Sequence, residues 1–314
     1  MNGVGGESSD VVRVGPAPGL LRIDFATGAL LTVPPLLWAG NAVVGRMAVG
    51  IVPPLLLNIL RWSTALIIVL PFAWRSLALH RAAIRVHWKT LFLLGVLGVA
   101  AYNSLQYLGL HSSTPTNLTL IAASGPAFIL AIGAQFFGEP VTPRQLVGAA
   151  LSLVGVVCVL VRGEPARLAH VDFAFGDLYM LVATVSWSLY TWILRRRPPP
   201  VPPLALMAVT MFFGILGSLP FGIAEHAFGG QATIWDRRLV WILAYVAVLP
   251  SLVALFCWNR GVARTGAQLP MYFSNLTPVF TAIISATLLA ESPHLYHVAA
   301  LALIVVGIRF AMPR

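Results

Sequence analysis

The sequence predicts an all-α integral membrane protein with ten transmembrane helices, arranged as two inverted repeats of five. Three observations carry that expectation. Of 314 residues, 58% are hydrophobic and only 10% charged, against about 25% charged in a soluble domain. The apolar residues fall in continuous runs of roughly 20, the length that crosses about 30 Å of hydrocarbon. A constant shift of 152 residues also maps Gly109 to Gly261, Pro126 to Pro278, Glu139 to Glu291 and Gly155 to Gly307 without a gap.

Taken in order, residues 1–24 are Gly-rich and carry Glu7 and Asp10, unlike a cleaved signal peptide, and are expected to form a mobile cytoplasmic tail. The first repeat, 25–162, holds apolar runs at Phe25–Val44, Pro54–Trp74, Leu91–Leu110, Thr116–Phe137 and Leu146–Val161. The second repeat, 173–312, holds Leu178–Leu194, Leu204–Ile223, Leu239–Trp258, Ala267–Leu289 and Leu295–Phe310. Continuous runs rather than alternating short ones exclude a porin-like barrel. Each half crosses an odd number of times, so the second half enters from the opposite side, and the repeats are inverted. Such repeats build transporters whose site lies at the repeat interface near the midplane.

The basic residues orient the bundle. Of the 20 Lys and Arg, Arg46, Arg162, Arg167, Arg237 and Arg238 fall on one side and Arg61 lies within a run, leaving fourteen on the side of both termini. The positive-inside bias makes that side cytoplasmic. It also accounts for the net charge of +10 without nucleic acid as a partner. Trp74, Trp88, Trp192, Trp235 and Trp241 lie near run ends and are expected in an interfacial belt. Two cysteines, Cys158 and Cys257, make neither a disulfide framework nor a metal cluster. No cofactor motif is present: the sole lysine, Lys89, has no phosphate-binding glycine loop around it.

Chemistry inside the membrane is sparse. All ten acidic residues fall in the tail, in loops or at helix ends, so no carboxylate proton relay is encoded. Glu139 and Glu291 could gate or carry protons. The favoured role is structural, each accepting backbone N–H bonds from the next helix's first turn. Arg61 could bind a substrate carboxylate, or instead snorkel or bond to neighbouring carbonyls. Pro126 and Pro278, at equivalent repeat positions, each permit a kink. The candidate substrate-binding residues are uncharged: Trp38, Asn41, Tyr102, Asn103 and Gln106 in the first half, and Trp187, Ser188, Tyr190, Ser251, Tyr272 and Asn275 in the second. Trp38 with Asn41, Asn103 with Gln106, and Tyr272 with Asn275 are each three apart, hence on one helical face. Singly each reads best as glue between helices; together they read as a cavity.

The repeated Pro, Glu thirteen residues later and Gly sixteen beyond, together with Trp38-Ala39-Gly40-Asn41, Arg61 and Trp187, resemble the EamA-type drug/metabolite transporters over about residues 25–312. The resemblance implies a ten-helix exporter of small metabolites, amino acids and aromatic amino acids among them; relatives carry nucleotide sugars. The second half has no Arg equivalent to Arg61, so a symmetric role for that charge is not implied. The expected partners are a small-molecule substrate and the lipid bilayer of a bacterial inner membrane, and the sequence is compatible with a monomer. A membrane-embedded enzyme would need His, Asp or Glu clustered within the runs. All seven His lie instead at run ends or in loops.

Overall fold

The computed structural model describes residues 24–113, 115–170, 174–229, 231–289 and 295–312; the expected tail and Glu291 lie outside them. The described residues are almost wholly helical. In the first half they form α1 (Phe25–Met47), α2 (Pro54–Leu79), a short α3 (Arg81–Val86), α4 (Trp88–Gly95), α5 (Tyr102–Ser112), α6 (Pro115–Ala123), α7 (Gly125–Phe137) and α8 (Pro143–Leu160). The second half has α9 (Phe175–Arg196), α10 (Pro203–Phe228), α11 (Arg237–Val246), α12 (Ala254–Thr265), α13 (Gln268–Ser274), α14 (Thr277–Leu289) and α15 (Leu295–Ala311).

Among the described residues, five helical runs are long and apolar enough to cross a membrane: Pro54–Leu79, Trp88–Leu110, Pro143–Leu160, Pro203–Phe228 and Arg237–Thr265. Large apolar side chains such as Ile67 (70% exposed) and Phe72 (73%) point outward mid-helix, which lipid tolerates and water does not. The chain is an integral membrane protein. Trp74, Trp88, Trp235 and Trp241 are exposed, as an interfacial belt requires. Trp192 is not: it is 2% exposed and its Nε1–H donates to the Ile129 carbonyl at 2.7 Å. Its position near a run end does not reveal that α9 is covered there by α7.

Two long runs carry a π-helical turn, Val96–Ala101 between α4 and α5 and Ala247–Val253 between α11 and α12. The cause is explicit in the second. Pro250 has no N–H, so the Val246 carbonyl loses its helical donor, and the Ser251 hydroxyl donates to it at 2.6 Å instead. In the first, carbonyls of the loosened turn accept from other helices: Leu97 from the Ser186 hydroxyl at 2.9 Å, and Val99 from Asn58 Nδ2 at 3.2 Å. Two further runs break at equivalent places, between α6 and α7 at Ser124 and between α13 and α14 at Asn275–Leu276. Pro278 leaves the Ser274 carbonyl without its donor, and the Thr277 hydroxyl supplies one at 2.7 Å. Pro126 sits buried in the first turn of α7.

Packing between the halves is dense. Helix α2 packs on α10 and α8 on α15; α1 packs on α12 and α14, while α9 packs on α5 and α7. The α8–α15 contact is backbone against backbone. A Cβ on Gly148 would lie 2.7 Å from the Gly307 carbonyl oxygen, one on Gly307 would lie 2.6 Å from that of Gly148, and one on Gly155 would lie 2.8 Å from that of Ala300. Advancing seven residues along α8 therefore moves back seven along α15, and the two helices run antiparallel.

Asp24, Asp177 and Glu139 lie at helix ends. Asp24 Oδ1 accepts the Thr27 N–H at 2.9 Å, and its bonds with Thr27 hold its carboxyl below the usual range. Asp177 caps α9 by accepting the Ala174 N–H at 2.8 Å and also accepts the Ser113 hydroxyl. Glu139 does not cap the following helix as expected. That cap is the reciprocal pair Thr142 and Gln145, which sits closer to the first turn of α8, and Glu139 instead pairs with Arg196 at the end of α9.

Candidate functional site

A cavity of about 940 Å³ lies between the halves. Its mouth includes Met47 at the end of α1 and Val49 just beyond it, 62% and 66% exposed, and its floor is aromatic. Trp38 and Trp187 meet edge to face there, ring centroids 5.6 Å apart, and Tyr102 lies 5.0 Å from Trp187. Trp258 and Tyr190 back this floor without lining the cavity, at 5.2 and 5.0 Å from Trp187. Trp38 Nε1 donates to the Pro250 carbonyl at 3.3 Å, so a side chain of one half is seated on the π-helical turn of the other.

Beyond the floor, polar ties join the helix ends on the side where α1 begins and α15 finishes. Glu139 pairs with Arg196, Tyr272 OH donates to the Gln145 carbonyl at 2.7 Å, and Arg264 donates to the Thr27 hydroxyl at 3.4 Å. The cavity is thus open towards the end of α1 and closed towards its beginning.

One wall is polar and holds a buried cation. Arg61, 1% exposed, donates from Nε to Ser251 Oγ at 2.8 Å and from Nη1 to Asn103 Oδ1 at 3.1 Å and the Tyr107 hydroxyl at 2.8 Å. It does not snorkel, because α5 and the Ala247–Val253 turn cover it. No carboxylate is bonded to it among the described residues. Asn41, 7% exposed, lines the cavity with an Oδ1 that has no partner.

The structure brings Trp38, Asn41, Arg61, Tyr102, Asn103, Gln106, Trp187, Asn275 and Pro278 to the cavity. Asn275 is nonetheless committed to packing, donating to the Ala123 carbonyl at 3.2 Å and Ser152 Oγ at 2.8 Å. Four other candidates sit behind the walls. Ser188 bonds back to the Thr184 carbonyl, Tyr190 to Asn259, Ser251 to Arg61 and Val246, and Tyr272 to Gln145. Trp62, Tyr107, Thr119, Thr184 and Met271 line the cavity without having been singled out. For Tyr107 a signal existed: it lies one helical turn beyond Asn103, on the same face.

The model of the EamA-like transporter family matches this chain twice, over residues 27–161 and 174–312. The chain belongs to the EamA-like transporter family. It is a transporter rather than an enzyme, as its relatives are named. An uncharacterized transporter of Archaeoglobus fulgidus is 26% identical over 276 residues, covering 87% of this chain and 93% of that protein. YyaM of Bacillus subtilis, also an uncharacterized transporter, is 26% identical over 215 residues, 66% of this chain and 68% of its own. The aromatic amino acid exporter YddG of Ancylobacter novellus is 25% identical over 251 residues, 79% and 84% of the two chains. A solved crystal structure shares the fold with a TM-score of 0.73 at 24% identity, covering 91% of this chain and 96% of the other.

Proposed function

We propose that this EamA-like transporter exports small zwitterionic or neutral metabolites, amino acids with aromatic or bulky apolar side chains, by alternating access through the cavity between its halves. The observation that carries the reading is the meeting of Trp38 and Trp187 at the cavity floor. They are 149 residues apart, one from the first helix of each half, and meet with centroids 5.6 Å apart. An apolar floor below the polar wall of Asn41, Asn103 and Gln106 suits a molecule with one apolar and one polar end.

The reading includes ten crossings: α1, α2, α4–α5, α6–α7 and α8, then α9, α10, α11–α12, α13–α14 and α15. The pattern of packing supports two inverted repeats. Exchanging the halves turns the contact of Gly148 with Gly307 into that of Ala300 with Gly155, which is also made. It likewise turns α1 on α12 into α9 on α5, and α1 on α14 into α9 on α7. Because α8 and α15 run antiparallel, an axis exchanging them lies across the helices, in the membrane plane. The charge bias puts both termini in the cytoplasm of a bacterial cell, with the cavity facing out.

A nucleoside diphosphate sugar would bring at least two phosphate charges, and the described cavity offers one guanidinium, Arg61. The test is efflux from proteoliposomes loaded with L-phenylalanine or with a nucleoside diphosphate sugar, with and without a pH gradient. Faster movement of L-phenylalanine is expected. Preferential movement of the nucleotide sugar overturns the substrate class, and movement of neither overturns both.

A further inference from the structure

We infer that Arg61, Asn103 and Tyr107 form a carboxylate subsite in the cavity wall, in which the guanidinium fixes two neutral neighbours as donors to an incoming anion. This rests on reading the cavity as the substrate site, and it adds which group of the substrate is recognised and where.

The argument is one of hydrogen-bond directions. A guanidinium has only donors. When Arg61 Nη1 donates to Asn103 Oδ1 at 3.1 Å, the Asn103 amide is fixed with its oxygen towards Arg61 and its NH₂ turned away. When Nη1 donates to the Tyr107 hydroxyl at 2.8 Å, a lone pair of that oxygen is used and its own hydrogen is left to donate elsewhere. Neither Asn103 Nδ2 nor the Tyr107 O–H has a protein acceptor among the described residues, and both residues line the cavity. Asn103 is 7% and Tyr107 5% exposed, so what faces them is the cavity.

The charge points the same way. A guanidinium 1% exposed with three neutral partners keeps its positive charge in surroundings of low dielectric, where an unpaired charge is costly. An anion entering the cavity relieves that cost, and a neutral molecule of the same shape does not. Two oriented donors and one positive charge match the two oxygens of a carboxylate. Ser251 completes the arrangement from the other half: it accepts the Arg61 Nε–H at 2.8 Å and is itself held by the Val246 carbonyl. The position equivalent to Arg61 in α10, 149 residues on, is Thr210, whose hydroxyl bonds back to the Leu206 carbonyl. Arg61, Asn103 and Tyr107 therefore have no counterpart charge in the second half, and the subsite fixes which way round a substrate sits.

The test compares binding of hydrocinnamate and of hydrocinnamamide, which differ only in the charged group, to the purified full-length protein in nanodiscs. Quenching of the tryptophans that line the cavity gives the readout. The anion is expected to bind about 10- to 100-fold more tightly, the range of a charge-assisted bond. Arg61→Lys should retain part of that preference. Asn103→Asp, nearly isosteric and supplying Arg61 with an internal carboxylate, should abolish it while the protein stays folded. Equal binding of the two probes, binding of neither, or an undiminished preference in Asn103→Asp overturns the subsite. L-phenylalanine counterflow in proteoliposomes is run alongside. A carboxylate preference without counterflow leaves the subsite standing and overturns the transport reading; counterflow without the preference does the reverse.

Discussion

Gly148 and Gly307 pack backbone against backbone, so that a side-chain carbon on either would fall within 2.7 Å of the other's carbonyl oxygen. Lipid gives transmembrane helices no hydrophobic reason to associate, and close backbone approach through small residues is what holds α8 to α15. Gly148→Val or Gly307→Val forces the pair apart and should destabilise the protein by about 1–3 kcal/mol, the usual cost of overpacking. Thermal unfolding of the purified protein checks this. Gly163→Ala is unsuitable as a control because Gly163 has φ +75°; Ala134→Val on the exposed face of α7 should leave the midpoint unchanged.

The aromatic floor makes a separate prediction. Trp187 contacts Trp38, Trp258, Tyr102 and Tyr190 at centroid distances between 5.0 and 5.6 Å. Trp187→Ala removes all four contacts and leaves a void, for about 3–5 kcal/mol. Trp187→Phe keeps a ring in place and should cost markedly less. Denaturation midpoints of the two variants separate these outcomes, and equal midpoints would show that the cluster contributes no packing energy.

How much of this was legible in the sequence differs by feature. The apolar runs fixed where helices lie, because length and hydropathy are properties of a single segment. The breaks at Ser124 and Asn275–Leu276 were visible as Pro126 and Pro278, since a missing N–H acts locally. Trp192 departs from the expected interfacial belt, and the alternatives for Arg61 stay open in the sequence, because burial depends on which helix covers a side chain and no segment carries that information alone. Glu139 stands close enough to the next helix to suggest its cap, whereas Thr142 and Gln145 form that cap. Of the eleven polar and aromatic candidates, Ser188, Tyr190, Ser251 and Tyr272 share type with the cavity residues but not facing direction. Residue type shows that a polar group needs a partner; only the tertiary arrangement decides whether that partner is another helix.

The tie between Glu139 and Arg196 closes the side of the molecule opposite the cavity mouth. Both side chains are partly exposed, 32% and 43%, so the pair contributes at most about 1 kcal/mol and is weakened by salt. Glu139→Gln should therefore leave the fold intact and raise the population open on that side by up to about fivefold. Labelling of a cysteine placed at Gln268, on that side of the floor, measures it. An unchanged labelling rate shows that the tie does not restrict access from that side.

Helix α2 begins at Pro54 with Pro53 just before it, and neither proline has an N–H. The first free donors of the helix are therefore those of Leu55 and Leu56, and Glu225 near the end of α10 accepts both, at 3.1 and 2.9 Å. This is a helix cap supplied from 170 residues away, and it places a negative charge at the positive end of the helix dipole. It also fastens the second helix of one half to its counterpart in the other. Glu225→Ala leaves two N–H groups unbonded and should cost about 1–2 kcal/mol. Glu225→Gln keeps one acceptor oxygen and should recover roughly half of that. The two variants are compared by thermal unfolding across a range of salt. If Glu225→Ala unfolds at the wild-type midpoint, water has replaced the cap and α2 is not held to α10 through Glu225.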